Sequence, residues 1–572
     1  MSMTQLHAKG KQRRTHTDGL DHAHDPTPAE QHISATLLDT QPIPDVHESL
    51  PEPKVPGKLQ GQVIQAPLSG PSSAFVEIFE HTMALMPSGL ALRGLLAPFS
   101  STGEEHLQDL ASRVRVFKTA FDAWVEIHQP SFNGLPGHLN IVQRLRNAHD
   151  SIHDVKTAIQ SYDSFRSYIH VLGSELFPGT NLLGDHLTLH ASFYNAGRGI
   201  VLTLGEHQVY MVMTSIRSLR GVGCKLPIEI MYHGEEDLGQ EYREMLEGLP
   251  DVVTRDMSKM IDDSGWELRG WALKPWAMLM SSFQEVLFMD ADVLFFSNPE
   301  ILFKDAQYLE TGALFFKDRN LWRENKRSWI KKVLPSPISN KVKSNRLWTK
   351  ESGHMQDSGV VIVDKWKHFV PLLLTARLNG IDRDGNSETG TKGVYDMVYG
   401  DKETFWLSWK MAGVLDYAFY NGSTGILGIL NQHENDESDG SNDAGEEAQA
   451  SDENPTDHQP QRPQKIMDPG QTQNFTSCSP QLLHLDTDDN PLWLDGWVAR
   501  SKFSAPTDLD VDFFKVYLKE PIEKDPLDKE IWQLKEDNIC CLTADSYAEI
   551  SERDKQTLEM VIAIAREYEW EL

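Results

Sequence analysis

The sequence has no apolar run of roughly eighteen residues, so we expect no transmembrane helix in it. The nearest stretch, residues 83–99, is interrupted by Pro87, Ser88 and Arg93 and is better explained as an amphipathic core helix. The amino-terminal stretch is basic but lacks the apolar region that a secretory signal peptide needs. Neither a membrane anchor nor a leader is therefore visible in the residues themselves.

Cysteine and positive charge are also scarce. The chain has 4 cysteines among 572 residues, and none has the spacing of a zinc or thioredoxin-like motif. These cysteines allow one or two disulfides without requiring them. Lys and Arg total 54 against 84 Asp and Glu, which gives a net charge of -30. Because no basic stripe is present to neutralise phosphates, we expect no nucleic-acid partner.

The remaining composition predicts a folded protein with polar extensions. Apolar residues make up 40% of the chain, and 14 tryptophans support a large core. Residues 1–73 are polar and predicted to be disordered. Residues 74–180 are predicted to be helical, with one apolar stripe from Leu107 to Trp124 and another from Ile141 to Tyr162. Residues 190–572 are predicted to form one α/β domain, interrupted by a disordered acidic insertion at about 432–471.

Alternating strand and helix patterns support the α/β prediction. The strands are expected at 199–205, 228–234, 252–256, 286–296 and 359–364, with helices between them. This order predicts a mostly parallel sheet with helices on both faces. In such sheets ligands bind beyond the carboxyl ends of the strands.

The most informative segment is the run VLFMDADVLFF at residues 286–296. Its apolar residues predict a fully buried strand, yet the strand carries Asp290 and Asp292. Carboxylates are seldom buried unless a partner or a metal compensates them. We therefore predict a divalent metal, Mn²⁺ or Mg²⁺, shared with the phosphates of a sugar nucleotide. Asp292 is the candidate for direct ligation, and Asp290 for the ribose or a bridging water.

The order of motifs resembles that of the fungal α-1,3-mannosyltransferases, glycosyltransferase family 71. The residues that carry the resemblance are GRGIVLTLGEHQVYMVMTSIRSLR, LPIEIMY and WALKPWAMLMSSFQEVLFMDADVLFFSNPEILF, followed by HMQDSGVVIVDK, YGDKETFWLSWKMAG and LLHLDTDDNPLW. The resemblance covers roughly residues 197–430 and 481–503. It implies a GT-A fold, GDP-mannose as donor, Mn²⁺, and transfer with retention at the anomeric carbon.

The resemblance also implies roles in donor binding. Thr203 and Leu204, at the end of the first predicted strand, would contact the nucleotide. Lys274 in WALKPW would reach the diphosphate. Ser358 and Gly359 in QDSGVVIVD would face the donor sugar, and glycine would permit a close approach of the backbone.

The later motifs supply candidates for catalysis and for the third metal ligand. Asp401 and Glu403 in GDKETFW are candidates for the acceptor hydroxyl and for the carbocation of the transition state. Their open alternative is a helix cap and a first-turn acid. His484 in LLHLD is the candidate third metal ligand, because neutral imidazole suits Mn²⁺. Its alternative is a structural histidine at a strand end.

The function implied by the resemblance is transfer of mannose to a mannose-containing glycan of a glycoprotein. It also implies the Golgi membrane and lumen, although no anchor is visible. Asn421 and Asn474 begin glycosylation patterns and hint at a secretory route. Two alternatives stay open: a related glycosyltransferase that uses a UDP-sugar, and a glycan-binding relative without turnover.

Overall fold

The structure is a computed structural model that describes residues 73–128, 141–149, 151–431, 474–498, 511–521, 531–535 and 539–568. The segments predicted to be disordered, 1–73 and about 432–471, lie outside these residues except for Ser73. The boundary placed between 74–180 and 190–572 stays a prediction.

Helices come first along the described chain, helices and strands then alternate, and strands dominate after residue 417. The described helices are α1 (Ser73–Ala84), α2 (Gly89–Leu95), α3 (Gly103–His128), α4 (Ile141–Ala148), α5 (Ile152–Leu176), α6 (His186–Ser192), α7 (Val209–Gly221), α8 (Gln240–Glu247), α9 (Leu273–Met280), α10 (Ala306–Thr311), α11 (Arg327–Val333), α12 (Asn340–Lys343), α13 (Arg346–Thr349), α14 (Phe369–Leu378), α15 (Thr404–Met411) and α16 (Glu552–Glu567). The described strands are β1 (Arg198–Thr203), β2 (Ile228–Tyr232), β3 (Val252–Asp256), β4 (Glu285–Met289), β5 (Val293–Phe295), β6 (Ala313–Lys317), β7 (Gln356–Asp364), β8 (Ala418–Phe419), β9 (Thr424–Gly428), β10 (Leu430–Asn431), β11 (Phe475–Ser479), β12 (Leu482–Leu485), β13 (Pro491–Asp495), β14 (Val516–Lys519), β15 (Trp532–Leu534), β16 (Cys540–Ala544) and β17 (Ala548–Glu549).

A seven-stranded sheet with the order β3-β2-β1-β4-β7-β6-β8 forms the centre of the fold. Strands β3, β2, β1 and β4 are parallel, whereas β7 runs antiparallel to both of its neighbours, β4 and β6. The carboxyl ends of β1, β4 and β6 therefore meet the amino-terminal end of β7 at one edge. We call this edge the carboxyl edge.

Helices cover both faces of this sheet because successive strand side chains point in opposite directions. On β1, Val201 packs in one apolar cluster with Leu110 and Phe117 of α3, while Ile200 packs in a second cluster with Ile216 of α7. The amino-terminal helices thus share a core with the sheet. This architecture confirms the predicted α/β fold of the GT-A type with an amino-terminal helical region.

The prediction of one continuous strand at 286–296 is wrong. The run forms two strands, β4 in the seven-stranded sheet and β5 in a six-stranded antiparallel sheet with the order β17-β14-β9-β12-β13-β5. The chain turns between them, where the Val293 N–H donates to the Asp290 carbonyl at 3.2 Å. Apolar composition suits a buried strand in either sheet, so it did not reveal the change of sheet.

A third, four-stranded sheet with the order β10-β11-β16-β15 lies in the carboxyl-terminal part. Cys478 and Cys541 face each other across β11 and β16 and form a disulfide, while Cys224 and Cys540 are free and buried. The antiparallel sheets were not anticipated.

The second predicted helical stripe is also corrected. The stripe is divided between α4 and α5, because the Ser151 side chain accepts the Asp154 N–H and starts a new helix. Ile152, assigned to the apolar stripe, is 92% exposed. Among the described residues, no helix is both long enough and apolar enough to cross a membrane.

Candidate active site

Polar residues from four neighbouring strands meet at the carboxyl edge. Thr203 ends β1, Asp290 directly follows β4, Asp318 directly follows β6, and Asp357 lies at the beginning of β7. The Asp290 N–H donates to the Gly359 carbonyl at 2.8 Å, which ties the turn after β4 to β7. The sheet therefore assembles a charged cluster from residues that are distant in sequence.

Lys274 lies in the first turn of α9 and is the buried cation of one half of this cluster. Its Nζ donates to Asp290 Oδ2 at 2.7 Å and to Ser358 Oγ at 3.3 Å, and it lies 3.7 Å from Asp401 Oδ1. Burial opposes the charge on Lys274, but Asp290 and Asp401 outweigh this effect and raise the pKa of the ammonium. Lys274 thus remains protonated at neutral pH.

Burial raises the pKa of Asp290 to about 7, although Lys274 opposes the shift. The neighbouring carboxylates of Asp292 and Asp401 raise it further, because like charges disfavour ionisation. Lys274 therefore does not fully offset the effect of burial and of the neighbouring carboxylates on Asp290.

Lys402 is the cation in the other half of the charged cluster. Its Nζ donates to Asp318 Oδ2 at 2.5 Å and lies 3.7 Å from Asp357 Oδ1. Burial favours the neutral form of both acids, but Lys402, together with Arg319 beside Asp318 and His484 beside Asp357, outweighs it and holds both pKa values below the ordinary value. Both carboxylates are nearly fully buried, so their charge depends on this lysine.

His484 on β12 is buried against Trp493, with ring centroids 3.9 Å apart and the rings stacked. Its Nε2 lies 2.9 Å from Asp357 Oδ2. A carboxylate partner of this kind fixes the orientation of an imidazole. The contact is compatible with either role foreseen for His484, and its role as a ligand stays a prediction.

Asp401 is buried in the turn before α15. Its Oδ2 atom has no hydrogen-bond partner among the residues that the structure describes. Burial raises the pKa of Asp401 above its ordinary value, and Lys274 opposes the shift. Asp401 thus presents an oxygen that is available for a further partner.

Glu403 has no exposed surface and joins α15 to β7. Its Oε1 accepts the N–H groups of Met355 at 2.7 Å and Gln356 at 3.2 Å, and its Oε2 accepts from Nε1 of Trp406. Glu403 occupies the N-cap position of α15, but its side chain makes no capping hydrogen bond to that helix. These bonds suit a positioning role, while the catalytic role stays a prediction.

The Glu403→Gln variant separates the two roles. An amide offers only one accepting oxygen, so at least one buried donor loses its partner. We expect the free energy of unfolding to fall by about 1–3 kcal/mol, measured by urea denaturation. The exposed Glu126→Gln on α3 should leave stability unchanged. Undiminished stability of Glu403→Gln together with lost turnover would instead favour a catalytic role.

The predicted donor-binding residues do not all belong to the charged cluster. Thr203 is partly exposed at the carboxyl edge, whereas the Leu204 side chain is buried in the apolar cluster of α7. Ser358 accepts from Lys274 and so belongs to the charged cluster. A Cβ at Gly359 would lie 3.3 Å from Trp493, so the close approach that glycine permits is to this ring. The donor-binding roles stay predictions.

The composition of the cluster fits a divalent cation. Its members are Asp290, Asp292, Asp318, Asp357, Asp401, Asp495, Lys274, Lys402 and Arg319. Carboxylates outnumber cations, and hard oxygen ligands suit Mg²⁺ and Mn²⁺. Within the described ranges, however, no three His, Cys, Asp or Glu side chains are grouped as a metal site. The ligand set Asp290, Asp292 and His484 therefore stays a prediction.

Sequence reasoning missed five charged residues of this cluster: Asp318, Arg319, Asp357, Lys402 and Asp495. Asp357 precedes the chosen Ser358, and Lys402 lies between the chosen Asp401 and Glu403. For Asp495, which lies in PLWLDGW, the available signal was a charge inside an otherwise apolar segment, as with Asp290. That signal does not tell which acid each lysine meets.

The sheet order and the acidic carboxyl edge define a glycosyltransferase of the GT-A type. Residues 197–486, slightly more than half of the chain, match the family described as "Mannosyltransferase putative". The chain belongs to this family. Its membership confirms both the predicted resemblance and the predicted glycosyltransferase class.

Two curated relatives that are similar to this chain are named as α-1,3-mannosyltransferases. "Alpha-1,3-mannosyltransferase MNN1" of Saccharomyces cerevisiae is 29% identical over 283 residues, which are 41% of this chain and 35% of that relative. "Alpha-1,3-mannosyltransferase MNT3" of the same yeast is 25% identical over 355 residues, or 56% of this chain and 50% of that relative. The chain thus spans between about a third and half of the length of these relatives.

Solved structures give weaker similarity. The glycosyltransferase GlyE of Streptococcus pneumoniae TIGR4 matches 40% of this chain and 46% of its own, with 13% identity and a TM-score of 0.25. The galactosyltransferase LgtC, in complex with donor and acceptor sugar analogs, matches 39% of this chain and 73% of its own, with 11% identity and a TM-score of 0.25. Because these scores are low, the fold assignment rests on the sheet of this chain.

Proposed function

We propose that this chain is a metal-dependent, retaining α-1,3-mannosyltransferase that moves mannose from GDP-mannose to a mannose residue of a protein-linked glycan. The observation that carries the proposal is the charged cluster: its members except Asp495, together with His484 beside Asp357, lie inside the family-matched segment 197–486. The similarity to two yeast α-1,3-mannosyltransferases supports the choice of sugar and linkage.

Mannosyl transfer would break the bond between the anomeric carbon and the diphosphate and form a bond to the acceptor oxygen. The departing diphosphate gains negative charge and needs cationic partners aimed at it. Lys274 is protonated and held at the carboxyl edge by Asp290 and Ser358, so we assign it to the diphosphate. Mn²⁺ or Mg²⁺, held by Asp290 and Asp292, would supply Lewis-acid stabilisation of the same charge.

The anomeric carbon becomes cationic in the transition state, and a nearby carboxylate stabilises it. We assign Asp401 to this position, because its buried Oδ2 has no partner among the described residues. Its raised pKa also suits acceptance of the proton from the acceptor hydroxyl. His484 is proposed as the third ligand, with Asp357 fixing the orientation of its ring.

A secretory location belongs to the same proposal, with the Golgi lumen and its membrane as the expected site. The disulfide between Cys478 and Cys541 is typical of oxidising compartments. Asn421 and Asn474, which begin the glycosylation patterns, are exposed. Co-localisation with a Golgi marker and a mass shift after endoglycosidase treatment would test this placement. A diffuse distribution without a shift would contradict it.

A donor panel tests the proposed reaction. The full chain should release GDP from GDP-mannose in the presence of Mn²⁺ and transfer mannose to α-mannobiose, whereas UDP-glucose and UDP-galactose should react at least about tenfold more slowly, a difference of about 1.4 kcal/mol. EDTA should stop the reaction, and added Mn²⁺ should restore it. The linkage of the product is read by NMR.

Three results would contradict the proposal. Preference for a UDP-sugar would favour the alternative donor class. Full activity in EDTA would remove the metal from the mechanism. Binding of mannobiose without turnover of any donor would favour a glycan-binding relative.

A further inference from the structure

Two tryptophans and a tyrosine form an exposed aromatic surface beside the charged cluster. Trp271, Trp322 and Tyr399 are 52%, 48% and 49% exposed. Among the described residues, Trp271 and Trp322 are the only tryptophans with this degree of exposure. Large exposed apolar surfaces of this kind commonly mark a binding site.

The rings form one continuous group. The centroid of Tyr399 lies 5.5 Å from that of Trp271 and 6.4 Å from that of Trp322. His354 packs against two of these rings: its ring centroid lies 5.1 Å from that of Trp322 and 5.5 Å from that of Tyr399. We call Trp271, Trp322, His354 and Tyr399 the aromatic platform.

Two residues of the platform region, Trp322 and Gly400, have backbone conformations with positive φ. Trp322 has a φ of +49°, a conformation that bulky side chains rarely adopt, and the Gly353 N–H donates to its carbonyl at 2.6 Å. Gly400 has a φ of +60°, and a Cβ there would lie 2.8 Å from the ring of Trp271. Strained backbone that is retained in this way often marks a functional site.

A polar group without a partner lies inside the platform. His354 is only 6% exposed, and its Nδ1 atom has no hydrogen-bond partner among the described residues. A buried polar atom without a partner is costly, so it indicates a ligand or a water at this point. The platform thus offers apolar ring faces together with a polar atom.

The position of the platform on the sheet favours the acceptor, rather than the donor nucleotide, as its ligand. Trp322 follows β6 and His354 precedes β7, whereas Thr203, proposed to contact the nucleotide, ends β1 on the other side of β4. Tyr399 is two residues before Asp401, and Trp271 is three residues before Lys274. The platform therefore adjoins the proposed site of transfer on the side away from the nucleotide.

We propose that the aromatic platform is the acceptor subsite and binds a mannopyranose ring of the glycan. The apolar face of an uncharged sugar ring stacks on the aromatic faces, and a sugar hydroxyl meets Nδ1 of His354. The inference rests on the proposed function for the identity of the sugar.

The test measures the acceptor and the donor separately. Trp322→Ala and Tyr399→Ala should each raise the dissociation constant for α-mannobiose, read by ligand-observed NMR without a donor, and the acceptor KM by about tenfold. The KM for GDP-mannose hydrolysis should stay within about twofold of the wild-type value. Tyr399→Phe keeps the ring and should bind α-mannobiose like the wild type.

Tyr194→Ala is the matched control. Tyr194 is 51% exposed and packs against Trp366 at 5.1 Å, but it lies just before the amino-terminal end of β1, at the opposite edge of the sheet. Its removal should change neither constant. Circular dichroism and urea denaturation check that all variants remain folded.

Each remaining outcome overturns either the inference or the proposed function. Equal mannobiose affinity in the wild type and both alanine variants overturns the inference. A raised donor KM with unchanged mannobiose affinity also overturns it and assigns the rings to the nucleobase. Donor hydrolysis by a wild type that binds no mannobiose overturns it as well. If the alanine variants lose mannobiose binding but the wild type uses no donor, the result supports the platform as a mannose-binding site and contradicts the proposed function.

Discussion

The Asp292→Ala variant is expected to lose mannosyl transfer and GDP-mannose hydrolysis by about a thousandfold or more, which corresponds to about 4 kcal/mol of transition-state stabilisation. Asp292 lies in the turn between β4 and β5 and would contribute a carboxylate to the proposed cation site. Without it, charge on the leaving diphosphate loses a partner. Electron paramagnetic resonance of Mn²⁺ should show weaker binding in the same variant.

The fold should survive this substitution. The Asp292 side chain is partly exposed, and its backbone carbonyl, which accepts the N–H groups of Gly496 at 3.3 Å and Trp497 at 3.1 Å, is kept by alanine. Asp163→Ala, which removes an exposed acid from α5, is the matched control and should retain full turnover. Undiminished turnover of Asp292→Ala would overturn the proposed site.

The largest expected effect on stability follows from Lys402→Met. Methionine keeps much of the side-chain volume but leaves the buried carboxylates of Asp318 and Asp357 without their lysine. An uncompensated buried charge is costly, so we expect the free energy of unfolding at pH 7 to fall by about 3 kcal/mol or more. Urea denaturation measures this loss.

The pH dependence identifies its cause. Lys402 helps to hold the pKa values of both acids below their ordinary range, so the stability they contribute is present above the unfolded-state pKa of about 4 and is lost as the pH falls through the folded-state values. The difference between wild type and Lys402→Met should therefore be largest above about pH 4 and shrink as the pH falls below it. A difference independent of pH would point to lost packing instead.

Two further variants sharpen this prediction. Asp318→Asn combined with Lys402→Met removes one of the two buried carboxylates that have lost their lysine and should recover part of the lost stability. Lys332→Met removes an exposed lysine that pairs with Glu104 at 2.7 Å. Such surface pairs contribute about 1 kcal/mol or less, so this control should remain close to wild type.

Local patterns predicted the elements whose environment repeats regularly along the chain. The strand predicted at 252–256 is β3 without correction, and the stripe from Leu107 to Trp124 is the buried face of α3. Periodic apolar positions report which face is buried, so such elements need no knowledge of their neighbours. The stripe beyond Ile141 failed where Ser151 begins a new helix, because a local cap competed with the periodicity.

Local sequence patterns did not predict which strands and which charged residues pair over long distances in the sequence. The run at 286–296 is uniformly apolar, and only the pairing of β5 with β13 places its second half in another sheet. Likewise, the sequence does not tell that Lys274 meets Asp290 or that Lys402 meets Asp318. These contacts depend on strand order, which several folds of the same pattern could satisfy.

The sequence alone determined the α/β class, the family and the acids at the end of a buried strand, because apolar periodicity and motif order are written along the chain. Only the tertiary structure decided how those acids are neutralised, that Glu403 accepts N–H groups at the start of β7, and that three exposed rings pack in one group with the buried ring of His354. Charge compensation and aromatic contact depend on distances of a few ångströms between residues far apart in sequence, and folding alone sets those distances.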